Sequence, residues 1–273
     1  MRKISYIVRG NDVIIPKKDF SLDQTLDCGQ AFRWERTSSG SNAEYHGYFL
    51  NNELLVSEEK DTIILHNTSE QDYISVWHNY FDMDTDYNEL KRMFSEDETL
   101  ALACKYAEGI RLLRQDKWEA LISFIISQNN NIPRIKGIVG RLCDRYGGFP
   151  SAEQMKGVTA EGLAFLRAGF RGKYLEDCVS KVNSGEINLD SIAEMPIEDA
   201  RKELMNIKGV GPKVAECALL YGMYRVEAFP VDVWIKRVMA NFYPNGLPDF
   251  LGANKGIAQQ YLFHYMRTCV RFE

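Results

Sequence analysis

The stretch LMNIKGVGPKVAECALLYGMYRVEAFPVD, residues 204–232, contains the strongest structural signal in the chain. Two helix-like runs flank a tight turn, Gly209-Val210-Gly211, and Lys213 follows at the start of the second run. Asp232 stands after a Pro-Val pair, where a further helix is expected to begin. The pattern predicts a helix-hairpin-helix that binds backbone phosphate beside an amine nucleophile and a carboxylate.

The turn residues suit an anion for physical reasons. Glycine allows positive φ and leaves no side chain to hold a phosphate away. The unpaired N–H groups at the start of a helix attract negative charge, and Pro212 fits the first helical turn. A Gly-Val-Gly turn is a weak signal by itself, and a solvated Lys213 or an Asp232 that only caps its helix are the alternative interpretations. The three features together favour phosphate binding combined with the chemistry of an amine nucleophile.

The whole chain bounds the class of protein. Its 273 residues are 45% hydrophobic, which is enough for a sizeable core in one or two domains. No apolar run is long enough to span a bilayer, and the start lacks the pattern of a signal peptide, so a cytoplasmic protein is expected. The cysteines are scattered without a CxxC pair, at positions 28, 104, 143, 178, 217 and 269. This spacing predicts reduced thiols and disfavours zinc ribbons and four-cysteine iron–sulfur clusters.

Charge is distributed unevenly along the chain. The formal net charge of −5 would by itself argue against a nucleic-acid partner. Acidic residues crowd positions 58–98, whereas basic residues crowd 111–145 and 167–173. Such a bipolar chain can bind DNA with one face, although solvated helix faces are the simpler interpretation of charge taken alone.

The periodicity of apolar residues predicts an α+β fold. Short β-branched or aromatic runs at 7–16, 30–36, 43–59 and 61–67, separated by turn residues, predict an antiparallel sheet. From about residue 70 apolar residues recur at helical spacing, including the runs 160–169, 212–223 and 257–272. We therefore expect an N-terminal antiparallel sheet domain with flanking helices over 1–100. A mostly helical body that contains the hairpin is expected over 101–273.

Matches outside the hairpin identify a family resemblance. They are CGQAFRW at 28–34, IRLLRQD at 110–116, ISQNNNIPRI at 126–135, GFRGKY at 169–174 and AQQYLF at 258–263. With the hairpin they cover nearly the whole chain, which resembles the helix-hairpin-helix DNA glycosylases and, most closely, the eukaryotic-type 8-oxoguanine DNA glycosylases. The resemblance implies a catalytic cleft between helical subdomains.

The resemblance also implies a mechanism. The damaged base is flipped out of the duplex at a cost of roughly a few kcal/mol. Lys213 would attack C1′ of the sugar, displace the base and form a Schiff base that permits β-elimination of the 3′ phosphate. Asp232 would stabilise the positive charge that develops on the sugar. The implied enzyme is both an N-glycosylase and an abasic-site lyase.

Base recognition is implied for four residues. The backbone carbonyl of Gly29 would accept the N7 proton that 8-oxoguanine has and guanine lacks. Gln259 would bind the Watson–Crick edge, Phe263 would stack on one face of the base, and Cys217 would pack on the other. Without the resemblance these residues read as a turn glycine, a surface glutamine, a core aromatic and a core cysteine. Spacing adds only that Gln259 and Phe263 share a helix face.

The remaining implied contacts are with DNA. Asn129 would fill the gap left by the flipped base, and Phe170 would wedge beside the estranged partner base. Arg134 and Arg171 match the positions that bind the orphaned cytosine, which predicts a preference for cytosine opposite the lesion. Gly209 and Gly211 would grip the backbone. The expected partner is double-stranded DNA containing 8-oxoguanine, bound by a monomer that does not associate with membranes and that lies at the nucleoid in a bacterium.

The sequence departs from the family pattern at two positions, and two other functions are compatible with it. Position 234 is Trp where the animal enzymes carry a phosphate-contacting histidine, and position 221 is Tyr where they have a smaller apolar residue. A monofunctional glycosylase for alkylated bases is one alternative, which Lys213 disfavours. A non-catalytic DNA-binding hairpin module is the other. No cofactor is expected, apart from a structural cation that the hairpin carbonyls could hold.

Overall fold

The computed structural model describes residues 5–269. The chain folds into two compact units that do not follow chain order. The first unit comprises the residues up to Arg114 together with those from Val231 onward, and the second unit comprises Gln115–Pro230. The chain therefore leaves the first unit once, completes the second, and returns.

A six-stranded sheet forms the centre of the first unit. Its strands are β1 (Ile7–Arg9), β2 (Asp12–Pro16), β3 (Trp34–Arg36), β4 (Glu44–Phe49), β5 (Asn52–Glu58) and β6 (Thr62–His66). Their spatial order is β1-β2-β6-β5-β4-β3, and every neighbouring pair is antiparallel. The predicted antiparallel sheet is confirmed.

Helices make up most of the remaining described chain. The first seven are α1 (Leu22–Leu26), α2 (Glu70–Asp72), α3 (His78–Tyr80), α4 (Tyr87–Phe94), α5 (Glu98–Tyr106), α6 (Lys117–Ser127) and α7 (Ile132–Tyr146). The others are α8 (Gly172–Ser184), α9 (Leu189–Glu194), α10 (Ile197–Leu204), α11 (Pro212–Cys217), α12 (Val233–Phe242) and α13 (Lys255–Thr268). Wider π-helical turns at Tyr73–Trp77 and Ala218–Gly222 join α2 to α3 and extend α11.

Aromatic side chains fill the core beneath the sheet. Trp34 is fully buried, and its indole N–H donates a 2.7 Å hydrogen bond to the hydroxyl of Tyr80. Trp77 and Phe81 pack around the same indole, with ring centroids 6.2 and 6.1 Å from it. Buried indole and phenol groups need a polar partner. The Trp34–Tyr80 bond therefore lets these large rings be buried without leaving the indole N–H unpaired. On the helical side of this unit, α13 packs against α5 and α12.

Helix α6 forms the centre of the second unit. Its run from Ala120 to Ser127 is buried throughout, as expected for a helix that is apolar on all sides. The Asp116 carboxylate caps its start by accepting hydrogen bonds from the N–H groups of Trp118 and Glu119, at 3.1 and 2.9 Å. Helices α7 and α11 and the π-helical turn after α11 pack around it. This arrangement gives α11 a rigid support.

One predicted helix is wrong. Residues 160–163 form turns, followed by two short 3₁₀ segments, Ala164–Leu166 and Gly169–Arg171, because the left-handed backbone angles of Arg167 and Gly169 prevent a continuous α-helix. Leu163 and Leu166 still point into the core, which explains the misleading apolar spacing. The helix predicted to reach residue 272 ends at Thr268, and residues 270–272 of that prediction lie outside the described part of the chain.

None of the helices within residues 5–269 combines the length and the apolar character needed to cross a membrane.

Candidate active site

The hairpin joins α10 to α11 through a turn that only glycine fits at one position. Gly209 has φ of +77°, and a Cβ there would overlap the ring of Tyr174 on α8. Gly211 has φ of −98° and open space around it, so only Gly209 requires the freedom predicted for both. Pro212 opens α11 as predicted. The N–H of Lys208 donates to the Asp177 carboxylate at 2.7 Å, which ties the turn to α8.

Lys213 lies in the first turn of α11 and is partly buried. Its Nζ donates a 3.4 Å hydrogen bond to Ser127 Oγ and lies 5.3 Å from the centroid of the Phe124 ring. Ser127 and Phe124 are three residues apart on α6 and so share one face of that helix. The amine is thus directed by α6, and neither Ser127 nor Phe124 was among the predicted site residues.

Glu216 and Cys217 follow on the same helix and are buried. The Glu216 carboxylate accepts a 2.6 Å hydrogen bond from the Phe229 N–H and pairs with the guanidinium of Arg201 on α10. These contacts hold α11 against α10, because a buried carboxylate needs such partners to stay charged. Cys217 stands one helical turn after Lys213, so the predicted base-packing thiol and the predicted nucleophile share a face.

Asp232 begins α12, as predicted. Its Oδ1 accepts a 2.8 Å hydrogen bond from the Ile235 N–H, so the predicted N-cap is confirmed. The cap fixes the carboxylate against the end of the helix while a lone pair of Oδ1 and the second oxygen keep further acceptor capacity. The neighbouring Trp234, which stands where the resemblance expects histidine, packs with Arg237, whose guanidinium lies 5.2 Å from the ring centroid.

The predicted DNA-contacting residues of the second unit are brought together beside α6 and α7. The buried Arg171 guanidinium donates to the Gln128 carbonyl through Nε at 2.8 Å and to the Ala168 carbonyl through Nη1 at 2.9 Å. Asn129, the residue after Gln128, is exposed and adopts φ of +49°. Arg171 therefore buttresses the segment that presents the Asn129 side chain.

Phe170 and Arg134 complete this group. Phe170 is 50% exposed and packs against Tyr174 and under the Arg171 guanidinium, with centroid distances of 5.5 and 4.4 Å. Burial, followed by the positive charge of Arg134, lowers the pKa of Arg171. The two guanidinium groups thus lie close enough to repel each other, and an exposed aromatic ring stands beside them. Tyr174 links this surface to the hairpin through its contact with Gly209.

The base-binding residues predicted in the first unit gather around α13. Gln259 is buried and Phe263 half-buried, one turn apart on that helix. Gly29 follows Cys28 in the loop after α1 and has φ of +90°. The side chain of Gln260 donates a 2.9 Å hydrogen bond to Cys28 Sγ, which holds this loop on α13. The burial of Gln259 differs from the surface position that the simpler interpretation assigns to it.

The predicted site residues therefore form two groups. Gly29, Asp232, Gln259 and Phe263 belong to the first unit, and the other members belong to the second. Sequence reasoning missed the residues that support them: Ser127 and Phe124 at Lys213, Glu216 beside Cys217, Tyr174 at the hairpin and Arg267 beside Phe263. Ser127 lies in the quoted ISQNNNIPRI motif and Tyr174 in the quoted GFRGKY motif, whereas the others carried no signal beyond ordinary core or surface composition.

This fold and hairpin define the class of the protein. Residues 122–246 match the HhH-GPD superfamily of base excision DNA repair proteins, and residues 12–121 match the N-terminal domain of 8-oxoguanine DNA glycosylase. The chain is 30% identical to the N-glycosylase/DNA lyase of Saccharomyces cerevisiae, over 84% of this chain and 70% of the yeast protein. The chain belongs to the 8-oxoguanine DNA glycosylase family.

Solved structures agree with this assignment. A structure of MBOgg1 in complex with a low-affinity DNA ligand has a TM-score of 0.89 at 40% identity, covering 97% of this chain and 98% of that one. The Clostridium acetobutylicum 8-oxoguanine glycosylase/lyase was solved with double-stranded DNA containing cytosine opposite 8-oxoguanine. It has a TM-score of 0.88 at 35% identity, covering 96% of this chain and 97% of that one.

Proposed function

We propose that this protein excises 8-oxoguanine from double-stranded DNA and then cleaves the abasic strand. The observation that carries the proposal is the position of Lys213, an amine directed by Ser127 at the first turn after the hairpin glycines. The yeast relative is named an N-glycosylase/DNA lyase, which supports both activities. A non-catalytic hairpin module would have no use for a partly buried amine that other side chains orient.

The proposed chemistry proceeds through a covalent intermediate. The neutral Lys213 amine attacks C1′ of the damaged nucleotide, the bond from C1′ to the base breaks, and the base departs with its electron pair. Opening of the sugar ring then gives a Schiff base, from which a proton at C2′ is lost as the 3′ phosphate leaves. The Asp232 carboxylate, held by its cap on α12, stabilises the positive charge that develops on the sugar.

Recognition depends on one proton of the base. The Gly29 carbonyl would accept the N7 proton of 8-oxoguanine, whereas guanine would present a lone pair there and leave the carbonyl unpaired at a cost of roughly 1–3 kcal/mol. Gln259 is suited to read the Watson–Crick edge, since it is buried on α13. Phe263 and Cys217 would pack on the two faces of the base. Asn129 would occupy the gap in the duplex.

The opposite base is read by arginines in this proposal. Arg134 and Arg171 would donate to the acceptor atoms of an unpaired cytosine, with Phe170 beside it. Burial is the main cause of the lowered pKa of Arg171, and the positive charge of Arg134 adds to it, which supports a joint role for the two arginines. The hairpin turn at Gly209 and Gly211 would meanwhile bind backbone phosphate without reading sequence.

The chemistry requires no resident metal, because an amine and a carboxylate perform every step. A cation bound to the hairpin carbonyls and the lack of an iron–sulfur cluster stay predictions, which metal analysis of the purified protein would test. We further propose that one chain acts on each lesion, in the compartment that contains the chromosome. Size-exclusion chromatography with and without duplex DNA would test the monomer.

One experiment tests the function. Duplexes with 8-oxoguanine opposite each of the four bases are incubated with the protein, with and without borohydride, and the Lys213→Gln variant is run in parallel. We expect excision that is fastest opposite cytosine, a covalent protein–DNA adduct after reduction, and no adduct with the variant. Excision without an adduct would indicate a monofunctional glycosylase. Binding without excision would indicate a non-catalytic module, and equal rates opposite cytosine and adenine would refute the arginine assignment alone.

A further inference from the structure

One face of α13 makes two hydrogen bonds to Cys28, the residue before Gly29. The Gln260 side chain donates to Cys28 Sγ at 2.9 Å, and Arg267 Nη1 donates to the Cys28 carbonyl at 3.3 Å. The two gripping residues are seven positions apart, so they stand two turns along the same helix face. The Cys28–Gly29 peptide is therefore fastened to α13 on both the side-chain and the main-chain side.

The same face carries the residue proposed to stack on the base. Phe263 lies between Gln260 and Arg267, three positions after the first and four before the second, and the Arg267 guanidinium is 5.7 Å from its ring centroid. Arg267 thus contacts both the stacking ring and the peptide bond that leads into Gly29. A cation close to an aromatic ring is attracted by the negative face of the ring. The single guanidinium joins the two parts of base recognition found in this unit.

The chemistry of Cys28 makes it a suitable anchor. Burial raises the pKa of its thiol to about 11, so the thiol is neutral at physiological pH. Its S–H donates to the Thr25 carbonyl at 3.3 Å, and the sulfur then has lone pairs with which to accept the Gln260 bond. Cys28 is therefore a neutral hydrogen-bonding anchor for the loop and not a nucleophile.

The position of this loop matters because the proposed discrimination between 8-oxoguanine and guanine depends on a Gly29 carbonyl that stays in place. If the loop at Gly29 could move by a fraction of an ångström, guanine would escape the lone-pair repulsion and 8-oxoguanine would lose its hydrogen bond. Gly29 itself supplies no rigidity, since its φ of +90° lies in a region that glycine enters easily and leaves easily. Neighbours on both sides supply the rigidity: α13 holds Cys28, and the buried side chain of Gln30 donates to the Thr25 and Arg111 carbonyls at 2.9 and 2.8 Å.

We propose that Arg267 and Gln260 are positioning residues that hold the Cys28–Gly29 peptide against α13 and so set recognition of the oxidised base. This inference rests on the proposed function, because it concerns the same pocket. It adds two residues that are not expected to touch the base. Their effect should be confined to steps in which a base occupies the pocket, and it should be absent when the base has already been removed.

The test compares two substrates under single-turnover conditions with saturating protein. The first is a duplex with 8-oxoguanine opposite cytosine, and the second is the same duplex with a preformed abasic site, whose cleavage needs Lys213 but no base. For Arg267→Met we expect excision to fall about tenfold to a hundredfold, as for a misplaced reacting group, and abasic cleavage to change less than about twofold. Arg267→Lys, which keeps a donor and a charge, should recover part of the lost rate.

Arg33→Met is the matched control. Arg33 makes the same pair of contacts elsewhere in the first unit, with its guanidinium 5.2 Å from the Tyr48 ring centroid and its Nη1 bonded to the Leu50 carbonyl at 3.2 Å. It should leave both rates unchanged. Gln260→Met, which keeps the size of the buried side chain without its donor, should repeat the selective loss seen with Arg267→Met.

The outcomes separate the two proposals. Unchanged excision in Arg267→Met and Gln260→Met, or equal losses on both substrates, would overturn the positioning role. A wild-type protein that cleaves abasic sites but does not excise 8-oxoguanine would instead refute the proposed substrate, and one that acts on neither duplex would refute the proposed function.

Discussion

Lys213 Nζ lies 3.4 Å from Ser127 Oγ, and the hydroxyl of Ser127 donates its own proton to the Phe124 carbonyl at 2.8 Å. Because that proton is committed, Ser127 can only accept from the amine. The lone pair of a neutral Lys213 therefore stays available for attack, while the N–H directed at Ser127 fixes the position of the nitrogen. A serine on α6 thus orients the proposed nucleophile without consuming its reactivity.

Removing this hydroxyl should slow Schiff-base formation. A neutral hydrogen bond contributes roughly 0.5–1.5 kcal/mol, so Ser127→Ala should lower the single-turnover rate of borohydride-trapped adduct by about twofold to tenfold. Ser127→Thr keeps the hydroxyl and should stay closer to the wild type. Ser180→Ala, a change on the exposed surface of α8, is the control. Equal trapping rates in Ser127→Ala and the wild type would remove Ser127 from the mechanism.

The two hairpin glycines should respond differently to alanine. Gly209→Ala would force a Cβ into the Tyr174 ring at a positive φ, and left-handed geometry alone costs a non-glycine residue roughly 1–2 kcal/mol. A clear fall in thermal stability is expected. Gly211→Ala meets open space at an ordinary φ, so its stability should match the wild type.

The affinity for DNA tests whether Gly211 lies against backbone phosphate. If the turn approaches backbone phosphate, the methyl group of Gly211→Ala should weaken binding to undamaged duplex several-fold while the melting temperature stays the same. Fluorescence anisotropy at one fixed salt concentration measures this, since phosphate contacts depend on ionic strength. Unchanged affinity in Gly211→Ala would show that phosphate does not approach this position.

Substitutions at Asp232 can separate the cap from the charge. Asparagine caps helices about as well as aspartate, so Asp232→Asn should keep the bond to the Ile235 N–H and lose only a few tenths of a kcal/mol of stability. Asp232→Ala should cost about 1 kcal/mol through loss of the cap. Both variants should lower the excision rate by about a hundredfold if the carboxylate stabilises a developing cation. Full activity in Asp232→Asn would reduce the role of this residue to capping.

The sequence predicted much of this structure, because local patterns specify local elements. The alternation of apolar and polar residues, together with turn residues, predicted the antiparallel sheet. The position of Asp232 before an apolar helical run predicted the N-cap of α12. Residues 160–169 misled because Leu163 and Leu166 are buried at helical spacing, although the positive φ angles of Arg167 and Gly169 prevent an α-helix from running through the segment. Nor does a local pattern indicate that residues from Val231 onward return to the first unit, since that depends on packing between distant segments.

The site was predictable to the same extent. Residues with unusual chemistry in a recognisable order, such as Lys213 after the hairpin glycines, could be named from the sequence. Their supports could not, because Arg267 and Cys28 are contacts over a separation of 239 positions. An ordinary arginine near a chain end carries no local sign that it holds a distant carbonyl.

Arg171 and Arg134 should differ in stability although they share a proposed role. Arg171 is buried and bonded to the Gln128 and Ala168 carbonyls, so Arg171→Gln should lower the free energy of unfolding by roughly 1–3 kcal/mol. Arg134 is exposed, and Arg134→Gln should stay within about 0.5 kcal/mol. Urea denaturation measures both. Each variant should also lower the ratio of the excision rate opposite cytosine to the rate opposite adenine. If a substitution leaves this ratio unchanged, the arginine that it replaces does not contact the opposite base.

The stability of the protein should fall as the pH drops below about 6.5, in part through His264. Burial, followed by the positive charge of Arg267, lowers the pKa of His264 from its ordinary value of 6.5. The unfolded chain therefore binds a proton more readily than the folded protein between the two pKa values. Acid thus favours unfolding across that window, whereas above pH 6.5 this histidine has no effect.

Melting temperatures at pH 7.5 and 5.5 test the contribution of this histidine. His264→Gln should lose less stability between the two pH values than the wild type, because it removes one group that must take up a proton on unfolding. Arg267→Met should raise the pKa of His264, visible in a proton NMR titration of its imidazole, because it removes the neighbouring positive charge. An unshifted titration in Arg267→Met would mean that the guanidinium does not lie close to His264 in solution, and would also weaken its assignment beside Phe263 on the same helix.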